Sequence, residues 1–248
     1  MYDIVIVSHK KDFNKIKYVV EYAERNLTDF ETIHLILTNH DFLEYDKIQS
    51  KTTRPVIIHN EQDVVELDFS KVCYRPTWIY QILLKMFQNV TKNDNFLIIE
   101  SDGVINKKLS FFEDGKTILY LGRYQNHQPY FNYNEMLNIK KRYPYSLISE
   151  VMMYDKNKIK KLLEHCGCES REEFIDKYIY NRLSDTSYPA DYELYGNFLY
   201  NFYPDSIKFE KYNYSLNGAH REISDIEIES IIEKNKNSDF ISFHTWVL

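Results

Sequence analysis

Residues 94–104, DNFLIIESDGV, decide how this chain is read. Phe96, Leu97, Ile98 and Ile99 are four apolar residues in a row, the pattern of a strand buried on both faces. The run closes on Glu100, Ser101 and Asp102, two carboxylates one residue apart. Residues two apart in an extended segment point to the same side. Two carboxylates on one side repel each other unless a cation or a proton lies between them. In an open α/β sheet the carboxyl ends of the strands border the ligand crevice. A hard divalent ion such as Mg2+ or Mn2+ belongs in such a place, because it takes oxygen ligands and keeps positions open for phosphate. The plain alternative is a solvated turn that merely ends the strand.

Outward from this stretch, strands and helices alternate. Residues 3–7 (DIVIV), 32–37 and 54–59 read as buried strands. Asp12 stands where it would cap a helix whose apolar face carries Ile16, Val19, Val20 and Ala23. Residues 74–90 (YRPTWIYQILLKMFQNV) read as a helix, with Pro76 in the first turn and Trp78, Ile79, Ile82, Leu83, Met86 and Phe87 at helical spacing. The β-α-β order predicts a mainly parallel sheet with helices on its faces. Beyond the triplet, 117–121 and 149–154 (SEVMMY) read as strands, with Met152 and Met153 in the core. Residues 156–165, 171–183, 191–203 and 225–234 read as helices, and 239–248 (DFISFHTWVL) as a closing strand. Tyr120, Tyr124, Tyr130 and Tyr133 fall in a stretch without clear period, read as an aromatic loop. No repeat or linker divides the chain, so one domain over 1–248 is expected.

Composition narrows the function classes. With 44% hydrophobic residues, 248 residues suffice for one substantial core. The net charge is −6 and lysines are spread along the chain, so no nucleic-acid face is expected. An anionic substrate would need a metal or a basic pocket to neutralise it locally. No window approaches a transmembrane span, and no basic leader precedes the first apolar run, so a cytoplasmic protein is expected. Of three cysteines, Cys166 and Cys168 flank one glycine. That spacing is too close for a zinc pair and no second pair exists, so free thiols in a reducing compartment are expected. The sequons at Asn26, Asn89 and Asn213 then carry little meaning.

Four segments stand in a telling order: RPTWIYQILLK (75–85), IIESDGV (98–104), ISEVMMYDK (148–156) and YPADYELYGNFL (188–199). With them the chain resembles the GT-A class of nucleotide-sugar glycosyltransferases, and more closely a bacterial and viral set within it, over residues 2 to about 246. The resemblance implies a GT-A-like, Rossmann-type α/β fold with a mixed, mainly parallel sheet flanked by helices. It implies a nucleoside-diphosphate sugar donor, UDP-sugar favoured, a glycan or other hydroxyl acceptor, and Mn2+ or Mg2+ as cofactor, with inversion favoured. Asp102 then makes the main metal contact, Glu100 assists, and His244 supplies a third ligand. Glu100 departs from the usual aspartate by one methylene, which puts metal dependence in question. Asp191 would be the base for the acceptor hydroxyl, with Glu193 orienting the acceptor and Glu150 binding donor sugar or acceptor. Ser8 and His9 at the first strand's tip, together with Arg75, Gln81 and Ser101, would touch the nucleotide. Arg75 and Lys85, ten residues apart, sit roughly 280° from each other around a helix and make no joint phosphate clamp.

Each residue has a plainer role open to it. Asp191 is also a natural occupant of a helix N-terminus, Glu150 of a surface ion pair, and His244 of a hydrogen-bonded strand. Among rival functions, a glycoside hydrolase would set its two carboxylates across a cleft rather than two apart on one strand. A non-catalytic nucleotide-sugar-binding module would bind without turnover. A nucleotidyltransferase would carry a glycine-rich phosphate loop, which the N-terminus lacks.

Overall fold

The computed structural model describes residues 1–38, 43–123, 126–218 and 223–244. In chain order its elements are β1 (Tyr2–Ser8), α1 (Phe13–Asn26), β2 (Phe30–Leu37), α2 (Tyr45–Gln49), β3 (Val56–Asn60), α3 (Glu61–Val64), α4 (Pro76–Phe87) and β4 (Asn95–Ile99). There follow β5 (Gly103–Ile105), β6 (Phe112–Glu113), β7 (Lys116–Leu121), α5 (Gln128–Met136), β8 (Val151–Asp155), α6 (Lys156–His165) and α7 (Arg171–Phe174). The last are α8 (Asp191–Phe202), β9 (Ile207–Lys211), β10 (Tyr214–Gly218), α9 (Asp225–Lys234) and β11 (Phe240–His244).

The main sheet has the order β3-β2-β1-β4-β8. Its first four strands are parallel and β8 runs antiparallel to β4. This is the mainly parallel α/β sheet that the alternation predicts. Val5, Val7, Phe96, Ile98, Met152 and Tyr154 face the layer holding Ile79, Ile82, Leu83 and Met86 of α4. Ile4, Ile6, Leu97, Ile99 and Met153 face the layer holding Ile16, Val19, Val20 and Ala23 of α1. Both faces are covered, which is why FLII is a continuous apolar run rather than an alternating one. Met152 and Met153 are both core, on opposite faces.

Two three-stranded sheets, β10-β11-β5 and β6-β7-β9, complete the fold. The first positions the site. β11 lies antiparallel to β5, the strand directly after the acidic triplet, pairing Ser242 with Gly103 and Ile241 with Val104. The Phe243 N–H donates to the Asp102 carbonyl at 2.6 Å. Only glycine allows this approach, since a Cβ on Gly103 would lie 2.5 Å from the Phe240 ring.

Several local expectations need correction. The stretch read as an aromatic loop contains α5, and Tyr133 within it is wholly buried. Tyr124 lies outside the described residues, as do 245–248 of the closing strand. Residues 171–183 form only the single turn of α7, then a π turn at Ile175–Ile179, and the chain turns at Asn181 with φ 54°. Asp12 occupies the N-cap position of α1 without capping it; its carboxylate accepts from Lys15 Nζ at 2.7 Å instead.

Candidate active site

The pairing of β4 with β8 extends one step past Ile99, where the Glu100 N–H donates to the Glu150 carbonyl at 3.0 Å. Glu150 has φ 63°. That left-handed backbone costs a non-glycine residue about 1–2 kcal/mol, and it breaks the strand's alternation before β8 begins. The Glu150 side chain thereby meets β10 and β11: its Oε1 accepts from Tyr214 Oη at 3.1 Å and lies 3.4 Å from His244 Nε2. The other imidazole nitrogen, Nδ1, lies 2.9 Å from Asp102 Oδ2. Three elements distant in sequence thus place one imidazole between two carboxylates.

The charges explain the trio. Burial opposes the His244 imidazolium, but the hydrogen bonds and charges of Asp102 and Glu150 outweigh it and lift its pKa to about 10. Burial also pushes Asp102 up, yet His244, with Lys15 and Lys85 behind it, holds that carboxyl below its ordinary value. Burial raises Glu150; His244 pulls it back, and the charges of Glu100 and Asp102 add to the rise. A proton on the imidazole therefore offsets one of two crowded carboxylate charges. The ligand atoms of Asp102, Glu150 and His244 all lie within 4.8 Å of one another. Two oxygen donors and one imidazole nitrogen fit a divalent cation, which would take over the neutralising role.

Glu100, expected beside Asp102 on the metal, is engaged elsewhere. Glu100, Ser101 and Asp102 belong to the turn between β4 and β5, so the two-residue repeat of a strand does not align the two carboxylates. Glu100 Oε1 accepts from the Lys85 ammonium and from Tyr192 Oη, the latter at 2.8 Å. Lys85 is buried, and its Nζ lies 3.8 Å from Asp191 Oδ2. Burial works against the ammonium, but Glu100 and Asp191 outweigh it and keep Lys85 above the ordinary lysine value. Asp191 opens α8, and its buried Oδ2 accepts no hydrogen bond. Burial lifts its pKa to about 6, against the pull of Lys85 and with a push from Glu100.

Glu193 does not join this group. About 200° around α8 from Asp191, it is wholly buried and accepts from Ser146 Oγ, the Leu147 N–H and Asn197 Nδ2 at 2.9–3.0 Å. It ties the 146–147 segment to α8, away from the Lys85 contact that Asp191 makes. Ser8 is buried at the end of β1 and His9 beyond it is exposed. Ser101 is buried in the acidic turn, and Gln81 is half-buried on α4. Arg75 precedes α4 with φ 48°, its guanidinium 4.4 Å from the Trp78 ring centroid. Arg75 and Lys85 serve separate places, as the helix geometry predicts.

Sequence reasoning passed over three contributors. Lys85 carried a signal, since a lone charge inside QILLKMF must find a partner when that helix is buried. Lys15 carried the same signal; wholly buried, it bonds Asp12 and, at 3.2 Å, the Phe243 carbonyl just before His244. Tyr214 carried none. Cys166 and Cys168 are free and buried, burial pushing the Cys166 thiol up to about 12, so both thiols of HCGC belong to the core.

No protein-family model matches the chain, and no curated protein matches it in sequence. Solved structures do. The apo form of mouse xyloside xylosyltransferase 1 gives a TM-score of 0.51 at 11% identity, over 98% of each chain. The apo bifunctional glycosyltransferase WbbM gives 0.51 at 7% identity, over 98% of this chain and 45% of that one. The galactosyltransferase LgtC, in complex with donor and acceptor sugar analogs, gives 0.48 at 11% identity, over 97% of this chain and 86% of that one. The fold is that of the GT-A glycosyltransferases. At these identities the likeness carries the GT-A fold and not the reaction. Among the described residues no helix is long and apolar enough to cross a membrane.

Proposed function

We propose that the chain is a glycosyltransferase that moves a sugar from a nucleoside-diphosphate sugar, UDP-sugar by preference, to a hydroxyl of a glycan acceptor, with Mn2+ or Mg2+ as cofactor. The observation that carries this reading is the Asp102–Glu150–His244 trio at the carboxyl end of β4 in a GT-A fold. When bound, the cation supplies positive charge beside the leaving diphosphate. Asp102, Glu150 and His244 would hold it. Tyr214 fixes the Glu150 carboxylate and faces His244 Nε2 at 3.3 Å. Ser8, His9, Gln81 and Ser101 border the nucleotide.

Lys85 anchors Glu100 and Asp191 as the polar floor under the donor sugar, where both carboxylates accept hydrogens from sugar hydroxyls. Two roles compete for Asp191. In an inverting displacement it takes the acceptor proton; in a retaining one it holds a donor hydroxyl. The ammonium 3.8 Å away opposes proton uptake, burial favours it and lifts the Asp191 pKa to about 6, and electrostatics alone therefore do not choose between the two roles. The anomeric configuration of the product separates the two.

The test is UDP release from a panel of UDP-sugars, with Mn2+ and with EDTA. Release from one or two members, abolished by EDTA, is expected. No release from any nucleotide sugar with either metal overturns the reading.

A further inference from the structure

The contacts around the site run in one line. Asp102 belongs to the metal trio, Glu100 two residues before it meets Lys85, and Lys85 meets Asp191. Three residues before Asp191 stands Tyr188, which enters a compact group of rings. Trp78 stacks on Tyr130 with centroids 5.9 Å apart, and Tyr188 stands edge-on to both at 5.4 and 5.3 Å. The Tyr188 hydroxyl lies 2.6 Å from His127 Nε2. Tyr188 precedes Asp191 by three residues, so this group adjoins the Asp191 end of that line of contacts.

These rings pack on one another, with Tyr188 buried and Trp78 and Tyr130 half-buried. What they present is Arg75. Its guanidinium carbon is 4.4 Å from the Trp78 centroid and 5.7 Å from that of Tyr188. The residue is exposed, and among the described residues no carboxylate pairs with it. Its backbone is left-handed, φ 48° and ψ 52°, directly before Pro76, a conformation that residues other than glycine and asparagine avoid. Strain of this kind persists where the surroundings hold a residue for a purpose. A stacked guanidinium is pre-organised, and its fork of N–H donors matches a carboxylate or phosphate with two parallel hydrogen bonds. The chain carries a net charge of −6, so an anionic partner needs a local cation to approach.

We propose that Arg75 receives an anionic substituent of the acceptor, a sugar carboxylate or phosphate ester, and so selects acidic over neutral acceptors. This rests on the transferase reading, and it takes Arg75 from the nucleotide, where its place at the helix start had put it, to the acceptor. Arg75 is then a specificity-determining residue.

The test uses the full chain with UDP and Mg2+ and two matched pairs of probes: methyl β-glucuronide against methyl β-glucoside, and glucose 6-phosphate against glucose. Binding is read by saturation-transfer NMR, and the UDP-induced rise in melting temperature is read in parallel. In the unaltered protein the acidic member of at least one pair should bind about ten-fold more tightly, the worth of one charged hydrogen bond. The glucuronide leading identifies a carboxylate, and glucose 6-phosphate leading a phosphate. Arg75→Gln should erase the preference and Arg75→Lys should keep part of it, with the UDP-induced rise intact in both. Equal binding within both pairs, absence of binding included, overturns the proposal, as does a preference that survives Arg75→Gln. Loss of the UDP-induced rise in Arg75→Gln also overturns it, because the guanidinium then belongs to the donor. An acid preference in a protein that shows no UDP-induced rise at all keeps the anion site and sinks the transferase reading instead.

Discussion

Glu193 and Glu150 are both buried carboxylates, and they are opposites. Glu193 has a complete set of donors from Ser146, Leu147 and Asn197 on a regular helix, and Lys141 stands 3.6 Å off. Glu150 sits on a left-handed backbone, shares one imidazole with Asp102, and has the Glu100 charge pressing on it. The first arrangement lowers the energy of the fold. The second raises it unless another positive charge arrives. A buried acid alone therefore says little about function; crowding of like charges around an incomplete set of partners says more.

Three substitutions test that contrast. Glu193→Ala should have the largest effect on stability, about 3–5 kcal/mol, because three buried donors lose their acceptor. Urea denaturation measures it, and a loss under 1 kcal/mol would break the comparison by showing that the satisfied acid does not hold the fold. Asp191→Asn should go the other way. The folded pKa of Asp191, about 6, lies above the ordinary aspartate value, so the folded protein keeps a proton that the unfolded chain has released. Stability in the parent protein therefore falls as pH rises from about 4 to 6. Asp191→Asn escapes that fall and should gain ~3 kcal/mol at pH 7 and nothing at pH 3.5, while losing donor turnover. Urea curves at the two pH values decide it; a loss at pH 7 would place Asp191 with Glu193. Gly103→Ala is the mildest, about 1–2 kcal/mol from crowding Phe240. It should weaken Mn2+ binding in a metal titration, because β11 carries His244. Unchanged Mn2+ binding would separate the strand pairing from the metal trio.

The same contrast marks what the sequence made legible. The sheet was readable because FLII, DIVIV and the helix of residues 76–87 obey local periodicities. Asp102 and His244 were readable as a pair only through the order of four segments. The replacement of Glu100 by Glu150 in the trio was not, because it depends on one residue's positive φ and on β10 and β11 arriving from the far end of the chain. Lys85 was visible as a charge in an apolar helix but not as the partner of Glu100, since nothing local fixes which strand end a helix residue will reach. Glu193 and Asp191 looked alike in sequence, and only the rotation of α8 separates the acid packed on residues 146–147 from the one beside Lys85.

The trio is proposed to hold a cation under a nucleoside diphosphate. The direct measurement is the melting temperature with UDP, with Mn2+ and with both, in the unaltered protein and in Asp102→Ala, since a ligand that binds only the folded state raises it. A rise with UDP that grows when Mn2+ is added, with no Mn2+-dependent part in Asp102→Ala, is expected. A Mn2+-dependent rise that survives in Asp102→Ala, or no rise with UDP under any condition, would contradict it.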